Sequence, residues 1–90
     1  MAITLERWRT FSKRDQLAHI ASEIMRAKLA DDEITQKSIL ERAIYLIDLC
    51  LDDPKWQNNS LMILHLRNEL AGVYIGIGEN KNLDEILSVI

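Results

Sequence analysis

Residues 39–51, ILERAIYLIDLCL, limit what this chain can fold into more than any other stretch. Ten of the thirteen are apolar, and the exceptions are Glu41, Arg42 and Asp48. At about 100° per residue, Ile39, Leu40, Ala43, Ile44, Leu46, Ile47, Cys50 and Leu51 fill one wide arc. Tyr45 and Leu49 fall outside it, beside the polar positions. A surface helix covers a narrower stripe, so this one requires neighbours on more than one side. The pattern predicts a central helix in a bundle.

The rest of the chain supplies the neighbours. Thr4 has the chemistry of an N-cap for a short helix over about 5–10, anchored by Leu5, Trp8 and Phe11. Ser12, with Asp15 three residues on, gives a variant capping box for a helix over about 13–30. Its stripe is Leu17, Ile20, Ala21, Ile24 and Ala27. Asp31, Asp32 and Glu33 suit a helix start, where the dipole is positive. The central helix therefore spans about 33–51, capped by Asp32 or by Thr35, the latter with Ile34 and Ile39 as a hydrophobic staple. Pro54 ends it, because the residue before proline is pushed out of the helical region. Trp56 follows in a loop. Asn58, Asn59 and Ser60 offer caps for a helix over about 60–76, with a stripe of Ile63, Leu66, Leu70, Val73, Tyr74 and Ile77. Gly76 and Gly78 are placed to end it in a left-handed C-cap. Asn82 with Glu85 precedes a last short helix over about 83–90.

These elements define an all-α fold: one domain over residues 1–90, a small antiparallel bundle of three main helices with short terminal ones. Residues 67–90 also resemble a tetratricopeptide hairpin. Leu70, Ala71, Tyr74 and Gly78 carry its small-and-aromatic spacing, and Leu83 and Leu87 its second-helix packing positions. Leu83 stands where that family has a small residue. The resemblance covers a quarter of the chain and implies a helical hairpin suited to binding.

Composition bounds the function classes. At 48% hydrophobic and 28% charged residues, the 90-residue chain has enough apolar content for one modest core. No apolar run reaches membrane-spanning length, and the N-terminus lacks a signal-peptide core. Cys50 is the single cysteine, which rules out an intrachain disulfide or a cysteine-based zinc site. Together these point to the cytoplasm. Residues 1–14 carry four basic side chains against one acid, whereas the remainder carries seven basic against thirteen acidic. A basic end on an acidic body suits an acidic or self partner. Four cations with no companion motif argue against nucleic acid.

No nucleophile–base pair, phosphate-binding glycine loop or metal-ligand set stands out, so the sequence predicts no catalytic residue, metal or cofactor. His65 and Glu69 sit one turn apart but make an incomplete ligand set. Arg14 and His19 lie about 140° apart on one helix and do not converge. Asp48 and Asp52 oppose the helix dipole, which predicts a compensating cation such as Lys55. Arg67 falls inside an apolar arc and must reach solvent by its stem or pair with an acid; the expectation is an ion pair with Asp48 or Glu41. Trp8, Phe11 and Trp56 sit in or beside connecting segments, where aromatics either close the open end of a small core or serve as a binding hot spot, in which Trp and Arg are enriched. On the hot-spot reading Arg7, Trp8, Arg9, Phe11 and Trp56 form the expected contact surface, joined by the leftover Tyr45 and Leu49 if a second subunit rather than the short terminal helices covers them. The expected function is a non-enzymatic protein-interaction or regulatory module that self-associates through surplus apolar helix surface. The alternative is a helical nucleic-acid-processing or regulatory protein that uses the basic segment Arg7 to Arg14.

Overall fold

In the computed structural model, which describes residues 3–76 and 81–90 (side chains from 83 in the second segment), the chain folds into helices α1 (Leu5–Trp8), α2 (Lys13–Lys28), α3 (Glu33–Leu51), α4 (Ser60–Ile75) and α5 (Lys81–Val89). A 3-10 turn over Pro54–Asn59 joins α3 to α4. Among the described residues every regular element is helical.

The starts follow the side-chain chemistry. Thr4 Oγ1 accepts the Arg7 N–H at 3.2 Å and Ser12 Oγ accepts the Asp15 N–H at 3.1 Å. Asp32, not Thr35, caps α3: its Oδ1 accepts the Thr35 N–H at 2.7 Å, and the Thr35 hydroxyl donates to Oδ2 at 3.1 Å. The expected staple does not form. Ile34 is 84% exposed while Ile39 is buried, because the cap at Asp32 places Ile34 in the first turn, facing solvent.

Two other local expectations need correction. Asn59 makes no capping bond; its Oδ1 accepts from Lys13 Nζ at 2.8 Å instead, tying α4 to the start of α2. Gly76 does end α4, but at φ −95° rather than in the left-handed region. The α5 helix begins at Lys81, so Asn82 lies within its first turn rather than before it. The Asn82 side chain, Ile77 and Gly78 lie outside the described residues.

The central helix has the neighbours its wide arc requires. The α3 helix packs against α2 and α4, and α5 touches both α2 and α4, which closes the four longer helices into a ring. The core inside the ring is Ile20, Ile24 and Ala27 from α2, Leu40, Ala43, Ile47 and Cys50 from α3, Ile63 and Leu70 from α4, and Leu83 and Ile86 from α5. Each large aliphatic side chain so buried contributes roughly 1.5–3 kcal/mol. The 3-10 turn and α1 close one end with Trp56 and Trp8, both buried. Trp56 is thus a core residue in a helical turn rather than a loop residue.

Candidate interaction surface

The expected contact surface divides sharply by burial. Trp8, Leu49 and Trp56 are 0%, 7% and 3% exposed. A partner cannot reach them in the folded chain, so these three are corrected to core residues. Leu49 is covered without a second subunit. Beside it on α3, the Tyr45 hydroxyl donates to the Ile3 carbonyl at 2.7 Å, so the N-terminal segment lies along this face. Phe11 is half-buried, stacked on the His19 ring at 4.9 Å and edge-on to Trp8 at 5.9 Å. Arg7 and Arg9 remain exposed.

What holds the two tryptophans is a polar cluster the sequence reading missed. Gln16 is fully buried. Its Nε2 donates to the Trp8 carbonyl at 2.8 Å and to Asp53 Oδ2 at 3.0 Å. Its Oε1 accepts the Trp56 indole N–H at 2.5 Å and the Cys50 thiol at 3.8 Å. Lys55 Nζ completes the cluster, donating to Asp53 Oδ2 at 2.7 Å and to the Arg9 carbonyl at 3.0 Å. Burial alone raises the Asp53 pKa, but hydrogen bonds from the Lys55 ammonium, the Gln16 amide and the Lys55 backbone N–H outweigh it and hold the carboxyl below its ordinary value. Burial pushes the Cys50 thiol up to about 11, against a weaker opposing pull from the Trp8 indole. The signal available in the sequence was positional: Gln16 sits one turn before Ile20 on the inward stripe of α2.

The expected Arg67 pairing is present. Its Nε donates to Asp48 Oδ1 at 2.5 Å, and this bond raises the guanidinium pKa above its ordinary value. Glu41, the other expected partner, instead accepts from the Tyr74 hydroxyl at 2.5 Å. Lys55 does not compensate Asp48 or Asp52, as the sequence reading expected; its ammonium is committed to Asp53. His65 and Glu69 face each other at 3.7 Å, exposed on α4, and no group of three or more potential metal ligands occurs among the described residues. No helix among them is long and apolar enough to cross a membrane.

Among the described residues two apolar surfaces stand open. One is a groove of about 500 Å³ between α2, α4 and α5, floored by Leu17, Leu66 and Ile86 and edged by Met62, Glu69 and Glu85. The other is the outward face of α4. The helix buries Ile63, Leu66, Leu70 and Val73. Half a turn away, Leu61 is 81%, Leu64 43% and Ile75 84% exposed, with Asn68 and Gly72 exposed between them. At 100° per residue these five positions fall within about 80° of arc, and none is charged. The run Leu61-Met62-Ile63-Leu64 was the sequence signal, since four consecutive apolar residues cannot all face one side of a helix.

No family model, curated protein or solved structure matches this chain.

Proposed function

We propose that this chain is a non-enzymatic interaction module that associates with its own copies through the outward face of α4. The supporting observation is the exposure of Leu61, Leu64 and Ile75 on the side of α4 opposite its buried stripe. The exposed large apolar residues of the other long helices are scattered: Met25 on α2, Ile34, Tyr45 and Leu51 on α3, and Val89 on α5. An apolar helix face gains by leaving water, at roughly 25 cal/mol per Å². With no charge on it, the face meets no repulsion from an identical surface.

The nucleic-acid alternative has less support. Lys13 is engaged with Asn59 and lies over the Trp56 ring at 5.1 Å. That leaves Arg7, Arg9 and Arg14 as the exposed cations of the N-terminal segment.

Sedimentation equilibrium tests the reading. The wild type is expected to dimerise at micromolar concentration, and Leu61→Glu to remain monomeric with an unchanged melting temperature. A wild type that stays monomeric up to millimolar concentration overturns it. Association with short nucleic acids that weakens steeply with salt would favour the alternative.

A further inference from the structure

We propose that the α4 face meets a second copy of itself antiparallel, across a two-fold axis at Asn68, with Leu64 of each protomer seated over Gly72 of the other. This rests on the self-association reading above and specifies its geometry.

The first observation is the symmetry of the face. Its residues lie at Leu61, Leu64, Asn68, Gly72 and Ile75, spaced seven and four residues to either side of Asn68. Reversing the helix about Asn68 places Leu61 against Ile75 and Leu64 against Gly72. A two-fold dimer requires a self-complementary patch, and this patch superposes on itself when reversed.

The second observation is Gly72 itself. Glycine inside a helix is unfavourable, and nothing within the chain requires it there. A Cβ at this position would meet nothing within 4 Å. An uncrowded, exposed glycine in mid-helix is accounted for by close approach from outside. Antiparallel pairing brings a large side chain of the face onto the smallest; parallel pairing would set leucine against leucine and leave two glycines facing a gap.

The third observation is chemical. Asn68 at the axis faces its own copy, and an amide both donates and accepts, so the pair is satisfied by symmetry. A single Asn in an otherwise apolar helix seam fixes register in this way. A single pair of helices buries less than the ~800 Å² per partner of a standard interface, so the dimer is expected to be weak, in the micromolar range.

Gly72→Ala separates the geometry from the reading beneath it. Alanine is the better helix former, so the variant is expected to melt a few degrees higher than wild type. The added methyl displaces Leu64 of the other copy, so the dimer is expected to weaken by about tenfold or more. Cross-linking with a short bismaleimide then reads the direction. Position 64 of one chain and position 71 of the other lie within one residue of level in the antiparallel pair, whereas the two copies of position 64 stand about 12 Å apart along the axis, so a mixture of Leu64→Cys and Ala71→Cys chains is expected to cross-link between the variants, and Leu64→Cys not with itself. Cys50 is buried and serves as the silent background. Self-cross-linking of Leu64→Cys overturns the antiparallel order. A wild-type dimer that Gly72→Ala leaves intact overturns the seating of Leu64 while self-association stands. A wild type that never dimerises overturns both.

Discussion

Gln16 and Trp56, forty residues apart in sequence, meet at 2.5 Å through an amide oxygen and an indole N–H, both side chains buried. The same amide also holds the Trp8 carbonyl and Asp53. One α2 side chain therefore fixes α1, the 3-10 turn and the far end of α3 relative to one another.

Replacing Gln16 with leucine tests that role. The side chains are of similar size, so the core stays filled, but a buried indole N–H, a backbone carbonyl and a carboxylate each lose a partner. The indole N–H is left orphaned, at about 1–3 kcal/mol, while the Trp8 carbonyl keeps the Phe11 N–H and Asp53 keeps Lys55; with the lost bonds to both, a loss of roughly 2–4 kcal/mol is expected in urea unfolding, a large share of the ~5–15 kcal/mol typical of a domain. Tryptophan emission should shift to the red before global unfolding as Trp56 loosens. A change below about 1 kcal/mol would show that the cluster is peripheral.

Asp53 makes stability pH-dependent. Its folded pKa is depressed relative to the unfolded value near 3.8, so the ionised carboxylate stabilises the fold. That contribution is fully present above the unfolded value and is lost as pH falls through the folded one. Thermal melts are expected to be flat from pH 7 to about 5 and to decline steeply below about 4. Asp32, lowered chiefly by the Thr35 N–H, adds to the decline in the same direction. Asp53→Asn should be less stable at pH 7 and lose less on acidification; an unchanged acid slope would place the dependence elsewhere.

The Arg67–Asp48 pair joins α4 to α3 across a partly exposed edge, with 37% and 44% of the side chains open to solvent. Exposed ion pairs contribute roughly 0.2–1 kcal/mol. A double-mutant cycle of Arg67→Met and Asp48→Asn is expected to return a coupling in that range, shrinking in 1 M NaCl. A coupling of zero at low salt would leave Arg67 a solvated arginine whose stem alone covers the helix.

The fold was legible because the helix signals were local. Caps at Thr4 and Ser12, the proline stop at Pro54 and the stripes at 3.6-residue spacing each act within a few residues. The expected pairing of Arg67 with Asp48 was legible too, since a charge inside an apolar arc demands a partner. The Gln16 cluster was not, because it joins residues brought together only by the packing of α1, α2 and the 3-10 turn. The two tryptophans stood between two readings for the same reason: a Trp near a chain connection either closes a core or faces a partner, and their burial around Gln16 decides for the core. Surplus apolar surface was expected on α3 or α4; the ring of helices covers most of α3 and leaves the outer side of α4 open.

Cys50 gives a direct probe of opening. The thiolate is the reactive form, and burial has raised its pKa to about 11. At pH 8 the folded protein is therefore expected to react with a disulfide reagent orders of magnitude more slowly than the urea-unfolded chain. Gln16→Leu should speed the folded-state reaction, since it removes the oxygen that accepts the Cys50 thiol. Fast wild-type labelling would mean that the end of the bundle holding Trp8 and Trp56 opens readily.

Leu49 and Leu61 separate folding from association by one kind of substitution. Leu49 is buried within a single chain, Leu61 is 81% exposed. A glutamate at position 49 forfeits an apolar contact and puts a charge where water is excluded, so it must either disrupt its surroundings or take up a proton. Leu49→Glu is expected to cost about 3–5 kcal/mol, enough to leave a marginal domain partly unfolded at 25 °C by far-UV circular dichroism. Its loss of dimer would then follow from loss of fold. Leu61→Glu has no such cost, because its side chain already meets water. A Leu49→Glu protein that folds with a wild-type melting temperature yet no longer associates would return Leu49 to the contact surface, and the cover over that part of α3 would have to come from a second copy.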